Sequence, residues 1–205
     1  MDGSEAKRLV SSGYDQVATA YLASCGRSEV RARKLAELID DLPPRAKVLD
    51  LGCGAGSPIA ATLSELGFDV TGVDVSRRQI ELARRFAPRA KFIVADMTAA
   101  RFPAESFDAA VAFYSISHIP RAEHRDLFER IAAWLRRGGL FVASFGKAEG
   151  EWIKDWFGAP MFFSHHDPNV TKRLIVQAGF CLAKAETLAQ DDEEAEFLWL
   201  SARKR

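Results

Sequence analysis

Short apolar runs of strand period alternate along this chain with segments of helical period. Val48-Leu49-Asp50-Leu51, Asp69–Asp74, Lys91–Ala95, Phe107–Phe113 and Gly139–Phe145 read as strands. Helices are predicted at 57–66, where Ser57 and Pro58 suit the N-cap and first-turn positions, and at 76–86. A third, over 120–136, carries the apolar stripe Leu127, Phe128, Ile131, Trp134 and Leu135, with Gly138 as its stop. Two helices precede the first strand, at 4–24 and 28–41, the second closed by Pro43-Pro44. This alternation predicts an α/β fold with a parallel, doubly wound sheet whose ligands sit at the carboxyl edge.

The pattern breaks at 146–166, where Trp152, Trp156, Phe157, Met161, Phe162, Phe163, His165 and His166 are interspersed with Gly and Pro. This segment is read as a cap on the acceptor side. Asp167-Pro168 then starts a helix that Gly179 ends, and strands over about 180–188 and 194–202 close the sheet.

A chain of 205 residues with 48% hydrophobic and 27% charged residues fits one ordinary globular domain. Lys plus Arg equals Asp plus Glu at 28 each, so no basic field gathers nucleic acid. Cys25, Cys53 and Cys181 form no C-x-x-C pair, which points to a reducing compartment. No apolar leader and no run long enough to span a membrane is present, and a cytoplasmic location is expected. Whether the chain is a monomer or a homodimer is left open.

The chemistry gathers at the strand ends. After the first strand the chain reads Asp50-Leu51-Gly52-Cys53-Gly54-Ala55-Gly56, a turn that brings backbone N–H groups against a ligand. A dinucleotide loop would read G-x-G-x-x-G and hold a pyrophosphate. Asp50 repels phosphate and attracts an ammonium or sulfonium, as in S-adenosylmethionine. Asp74 ends the second strand where a ribose would lie, with Val75 flanking the adenine. Asp96 ends the third, where it is assigned to the adenine amino group, and Met97 is placed to pack on the purine face. For Asp74 and Asp96 the alternative is a helix or turn cap.

On VLDLGCGAG, VTGVD, VADM and FDAAVAFYSISHI the chain resembles the class I S-adenosylmethionine-dependent methyltransferases over roughly residues 46–145. The resemblance implies a Rossmann-like, mostly parallel seven-stranded sheet with an antiparallel last strand, and S-adenosylmethionine as cofactor. It adds Phe113 to the cofactor contacts beside Gly52 and Gly54. It also implies that Tyr14 and Tyr21, in a YDxxAxxY segment of an N-terminal helical lid over 1–43, close over the methionine end. Plain packing is the other role open to both tyrosines, which are two helical turns apart on one face.

Methyl transfer to a neutral hydroxyl or ammonium also needs a base. His118, after the fourth strand, is the first candidate, the alternative being a backbone hydrogen bond. His165 or His166 could reach the acceptor from the cap, and Tyr114 is a further acceptor contact. The chain lacks the N/D-P-P-Y/F of nucleobase amino methylation, a Pro-Cys nucleophile, and the acidic cluster that binds magnesium in catechol-type enzymes. Adjacent His165 and His166 splay apart, and no metal is expected. The expectation is methylation of a small, partly apolar molecule, O- ahead of N- or S-methylation, without nucleic acid or membrane. A nucleotide-dependent oxidoreductase and a non-catalytic cofactor-binding scaffold are the alternatives.

Overall fold

The computed structural model describes residues 2–25, 28–190 and 195–205. Its elements are α1 (Gly3–Cys25), α2 (Glu29–Asp40), β1 (Lys47–Leu51), α3 (Ile59–Glu65), β2 (Asp69–Asp74), α4 (Arg77–Phe86) and β3 (Lys91–Val94). After β4 (Phe107–Ala112) come a 3-10 turn (Ile116–His118), α5 (Arg121–Trp134), β5 (Leu135–Gly146), β6 (Gly150–Trp156) and β7 (Ala159–His165). α6 (Pro168–Gln177), β8 (Phe180–Ala189) and β9 (Glu196–Lys204) complete the chain. The predicted start of the last strand, Glu194, lies outside the described residues.

Seven strands form one sheet in the order β3-β2-β1-β4-β5-β9-β8. β1 to β5 run parallel, and β9 is antiparallel to both its neighbours, as expected for this fold. Both faces are covered, so the central strands send alternate side chains into two cores. Leu49, Leu51, Ala110, Phe141 and Ala143 pack with Leu127, Phe128 and Ile131 of α5. Val48, Ala109, Val111 and Val142 pack with Leu35 and Leu38 of α2 and Ile59 and Leu63 of α3. Order reverses between β1 and β4, whose carboxyl ends diverge there into the loop at Gly52 and the turn at Ile116.

Three local expectations are corrected. Ser57 does not cap α3: the helix begins at Ile59, with Pro58 at the cap position and no side-chain cap bond. Gly138 does not end α5, which stops at Trp134 because Leu135 turns extended (ψ 145°) and is fully buried. Gly138 lies instead in a register shift at the start of β5. The cap is a β-hairpin, with Trp152 opposite Phe163 and Trp156 opposite Ala159. The reading of 146–166 as a cap gave it no strands and missed the alternation Trp152-x-Lys154-x-Trp156. Asp167 caps its helix as expected, accepting from the backbone N–H of Asn169, and Ser28 and Ser76 cap α2 and α4 by accepting from those of Arg31 and Gln79.

α1 lies across the carboxyl edge and meets the hairpin closely, since a Cβ on Gly13 would stand 3.2 Å from the carbonyl oxygen of Pro160. Gly52 is more constrained still, with φ at +73° and any Cβ only 2.2 Å from Ser115 Cβ. We predict that Gly52→Ala lowers folding stability by about 2–4 kcal/mol, from left-handed backbone cost plus overpacking, measured by denaturant unfolding.

Candidate active site

The glycine turn is held from below. Gly52 and Cys53 donate backbone N–H bonds to Val73 O at 2.7 and 3.0 Å, and Ser115 Oγ donates to Leu51 O at 2.6 Å. Both oxygens of Asp74 are fixed by backbone donors, Oδ2 by Gly54 N and Oδ1 by Ser76 N, each at 2.9 Å. Burial pushes the Asp74 carboxyl up to about 6. Asp50, only 1% exposed, is pushed up to about 7 by burial and then by the charge of Asp74, with Arg31 opposing. Its Oδ2 has no hydrogen-bond partner among the described residues. Asp50 does not line the cleft.

The cleft at the ends of β1 and β2 is lined by Gly52, Gly54, Asp74, Val75, Met97 and Phe113, with Val10, Tyr14 and Tyr21 of α1 opposite. Asp96 is placed differently from its neighbours Ala95 and Met97, which do line it. The Asp96 carboxylate accepts from Thr98 N at 2.8 Å and pairs with Lys7 of α1 at 2.9 Å. Lys7 also binds Glu123, and Asp15 of α1 accepts from Ser76 Oγ (2.6 Å) and Arg78 N (3.0 Å). So tied, α1 leaves about 60 Å³ in the cleft, well below the ~300 Å³ of an ordinary ligand pocket.

A second cavity of about 520 Å³ lies between the sheet edge, α2 and the hairpin, walled by Trp152, Trp156, Phe163 and Phe197. Tyr14, Tyr21, Tyr114 and His118 line both spaces, so the two meet at these four side chains. The tyrosines of α1 do share a face, their ring centroids 5.3 Å apart.

His118 joins three elements. Its Nδ1 lies 2.8 Å from the carbonyl oxygen of Phe162 on β7, which can only accept, so Nδ1 carries the ring proton. Its Nε2 then accepts from Tyr14 Oη at 2.8 Å. Burial pushes the imidazole down to about 4, so it is neutral at pH 7. The backbone hydrogen bond is therefore present, though to the hairpin rather than to the helix that follows.

His165 lines the large cavity and accepts from Gly146 N at 3.0 Å through Nδ1, leaving its ring proton on Nε2. Burial, then His118, His124 and Lys154, holds its pKa down near 4. His166 lines neither space: its ring packs edge-on to His124 at 5.2 Å and its Nε2 donates to Arg121 O. Tyr114 holds a left-handed backbone (φ +61°), its ring against Phe197 and Trp199 and under the Arg31 guanidinium at 4.9 Å. The sequence reading missed Arg31, Ser117, Lys154, Glu196 and Phe197 as cavity residues. Among the described residues no cluster of three His, Cys, Asp or Glu could hold a metal, and no helix is long and apolar enough to cross a membrane.

Residues 48–139 match the family model of a methyltransferase domain. Over that stretch, just under half of the chain, the expected resemblance to the class I S-adenosylmethionine-dependent methyltransferases is borne out. It is 39% identical over 109 residues to 2-methyl-6-phytyl-1,4-hydroquinone methyltransferase of Synechocystis sp., covering 52% of this chain and 34% of that one. The chain thus spans about a third of the length of such curated relatives. In fold it matches the Burkholderia thailandensis 1,6-didemethyltoxoflavin-N1-methyltransferase with bound 1,6-didemethyltoxoflavin and S-adenosylhomocysteine: TM-score 0.81, 21% identity, covering 100% of this chain and 91% of the other. The [4+2]-cyclase SpnF shares the fold at TM-score 0.72 and 20% identity, covering 95% and 94%. The fold alone does not fix the reaction.

The cradle suits the family's cofactor, S-adenosylmethionine: a fixed carboxylate for vicinal hydroxyls, apolar Val75 and Met97 for a purine, and buried negative charge for a cation. Hydroxyls that donate to Asp74 require its ionised form, so acid competes with the ligand. As Asp74 protonates, the affinity for S-adenosylhomocysteine is predicted to fall about tenfold between pH 7 and pH 5. Calorimetry across this range checks it, and a constant Kd would contradict the ribose assignment.

Proposed function

We propose that this methyltransferase moves a methyl group from S-adenosylmethionine to a small, partly apolar molecule held in the cavity of about 520 Å³. The observation that carries this reading is the meeting of cleft and cavity at Tyr14, Tyr21, Tyr114 and His118. The cavity beside this junction has aromatic walls and is large enough for one ring system, so cofactor held in the cleft would have room for an acceptor next to it. O-methylation stands ahead of N- or S-methylation.

The bound cofactor supplies an electrophilic methyl on a sulfonium, and the chain has to orient and dehydrate the reactants. Asp74 would hold the ribose, Val75 and Met97 the adenine, and Gly52, Gly54 and Phe113 the remaining walls, with Asp96 steadying the Met97 turn beside the adenine. Asp50 would bias the loop toward positive charge. Tyr14 and Tyr21 would close over the methionine end from α1, whose ties to Asp96, Ser76 and His118 make it the lid. Positioning of this kind supplies several kcal/mol of barrier reduction, and closure excludes water.

His118 is assigned here to positioning. Its only lone pair already accepts from Tyr14, and its low basicity makes it a poor proton sink at neutral pH. Tyr114 contacts the acceptor, while the place of His166 outside both spaces supports no role for it. The cysteines, with Cys53 and Cys181 free, suit a reducing cytoplasm.

S-adenosylhomocysteine at about 100 times its Kd should stabilise the protein by about 2.7 kcal/mol, whereas NAD and NADP leave the melting temperature unchanged. Stabilisation by the nicotinamide cofactors instead would favour an oxidoreductase. Asp74→Ala should lose most of the shift. His118→Ala should lower kcat/KM by about tenfold or more without introducing a new pKa into the rate profile, once labelled cofactor has revealed an acceptor.

A further inference from the structure

Among the described residues the charged groups that line the large cavity are Arg31, Lys147, Lys154 and one carboxylate, Glu196, which pairs with Lys147 at 2.6 Å. Lys154 also lines the cavity, and its Nζ lies 5.0 Å from the ring centroids of both Trp156 and Phe163. Among the described residues no carboxylate lies within ion-pairing distance of it. Aromatic faces hold the ammonium in place without neutralising its charge. Alternation along β6 puts Trp152, Lys154 and Trp156 on one face of the hairpin, so the cation sits among rings that can stack on a flat ligand.

The donor that His165 offers agrees: it lines the cavity with its ring proton on Nε2, which favours a ligand bearing acceptor atoms.

We propose that the methyl acceptor is a planar aromatic anion, its rings between the hairpin aromatics and its anionic oxygen drawn to Lys154. The inference rests on the methyltransferase reading and deepens it. An ionised oxygen arrives without a proton to remove: its lone pair forms the O–CH3 bond, the S–CH3 bond breaks, and the electron pair returns to sulfur. Neutral His118, committed to Tyr14 and Phe162, then has no proton to take.

The test uses three isosteric probes, 2-naphthoate, 2-naphthylmethanol and 2-naphthylmethylammonium, titrated by calorimetry into protein saturated with S-adenosylhomocysteine. The carboxylate should bind about tenfold more tightly than the alcohol, as a charge-assisted contact requires, and the ammonium most weakly. Lys154→Met should level carboxylate and alcohol while the affinity for S-adenosylhomocysteine is unchanged. The proposal is overturned if the alcohol or ammonium binds as tightly as the carboxylate, if the preference survives in Lys154→Met, or if none of the three binds to protein that binds S-adenosylhomocysteine. Failure of S-adenosylhomocysteine itself to bind is a separate result, which removes the methyltransferase reading and this proposal with it.

Discussion

The arrangement of the site depends on one imidazole. His118 stands at the exit of β4, donates to the backbone of β7 and accepts from Tyr14 of α1, so the sheet edge, the hairpin and the N-terminal helix are set against one another by two hydrogen bonds of 2.8 Å. Both are made away from bulk water, where an unpaired ring nitrogen would be costly. Remove them and the boundary between cleft and cavity loses its common reference point. The neutral state of the ring is part of this: only the Nδ1–H tautomer satisfies both partners at once.

Charge is arranged on the same scale. Asp50 is buried behind the glycine turn and Asp74 lines the cleft beside it, both raised in pKa by lost hydration and Asp50 also by the charge of Asp74. Such a pair is poorly suited to a pyrophosphate and well suited to an adenosyl ligand with a cationic sulfur. Across the tyrosine boundary the sign reverses, with Lys154 lining the second space. The negative side fits the donor of the methyl group, and the positive side fits an electron-rich acceptor.

The sheet was legible because burial on both faces writes long apolar runs at β1, β2, β4 and β5, and acidic or glycine residues mark where β1, β2 and β5 leave the sheet. Its antiparallel end came from the family resemblance, since periodicity does not give strand direction. The hairpin was not legible in the same way. β6 is largely exposed while β7 is largely buried, the turn Phe157-Gly158 carries a weak signal, and the alternation in β6 spans only Trp152 to Trp156. Ser57 and Gly138 fitted local cap rules, but tertiary packing of Ile59 and Leu135 decided those helix ends.

Of the candidate residues, those on strand ends arrived where expected because the topology sets them there, as with Asp74, Val75 and Met97. Asp96 could not be assigned from spacing alone, for its partner Lys7 lies on a helix far away in sequence. His165 and His166 are neighbours in sequence, but only the first ends a strand whose side chains face the cavity. The most direct test of the account is a crystal structure with S-adenosylhomocysteine bound. It should show the ribose hydroxyls on Asp74 and the sulfur facing the space between Tyr14, Tyr21, Tyr114 and His118. A ligand seated elsewhere, or with its sulfur turned away from that junction, would contradict it.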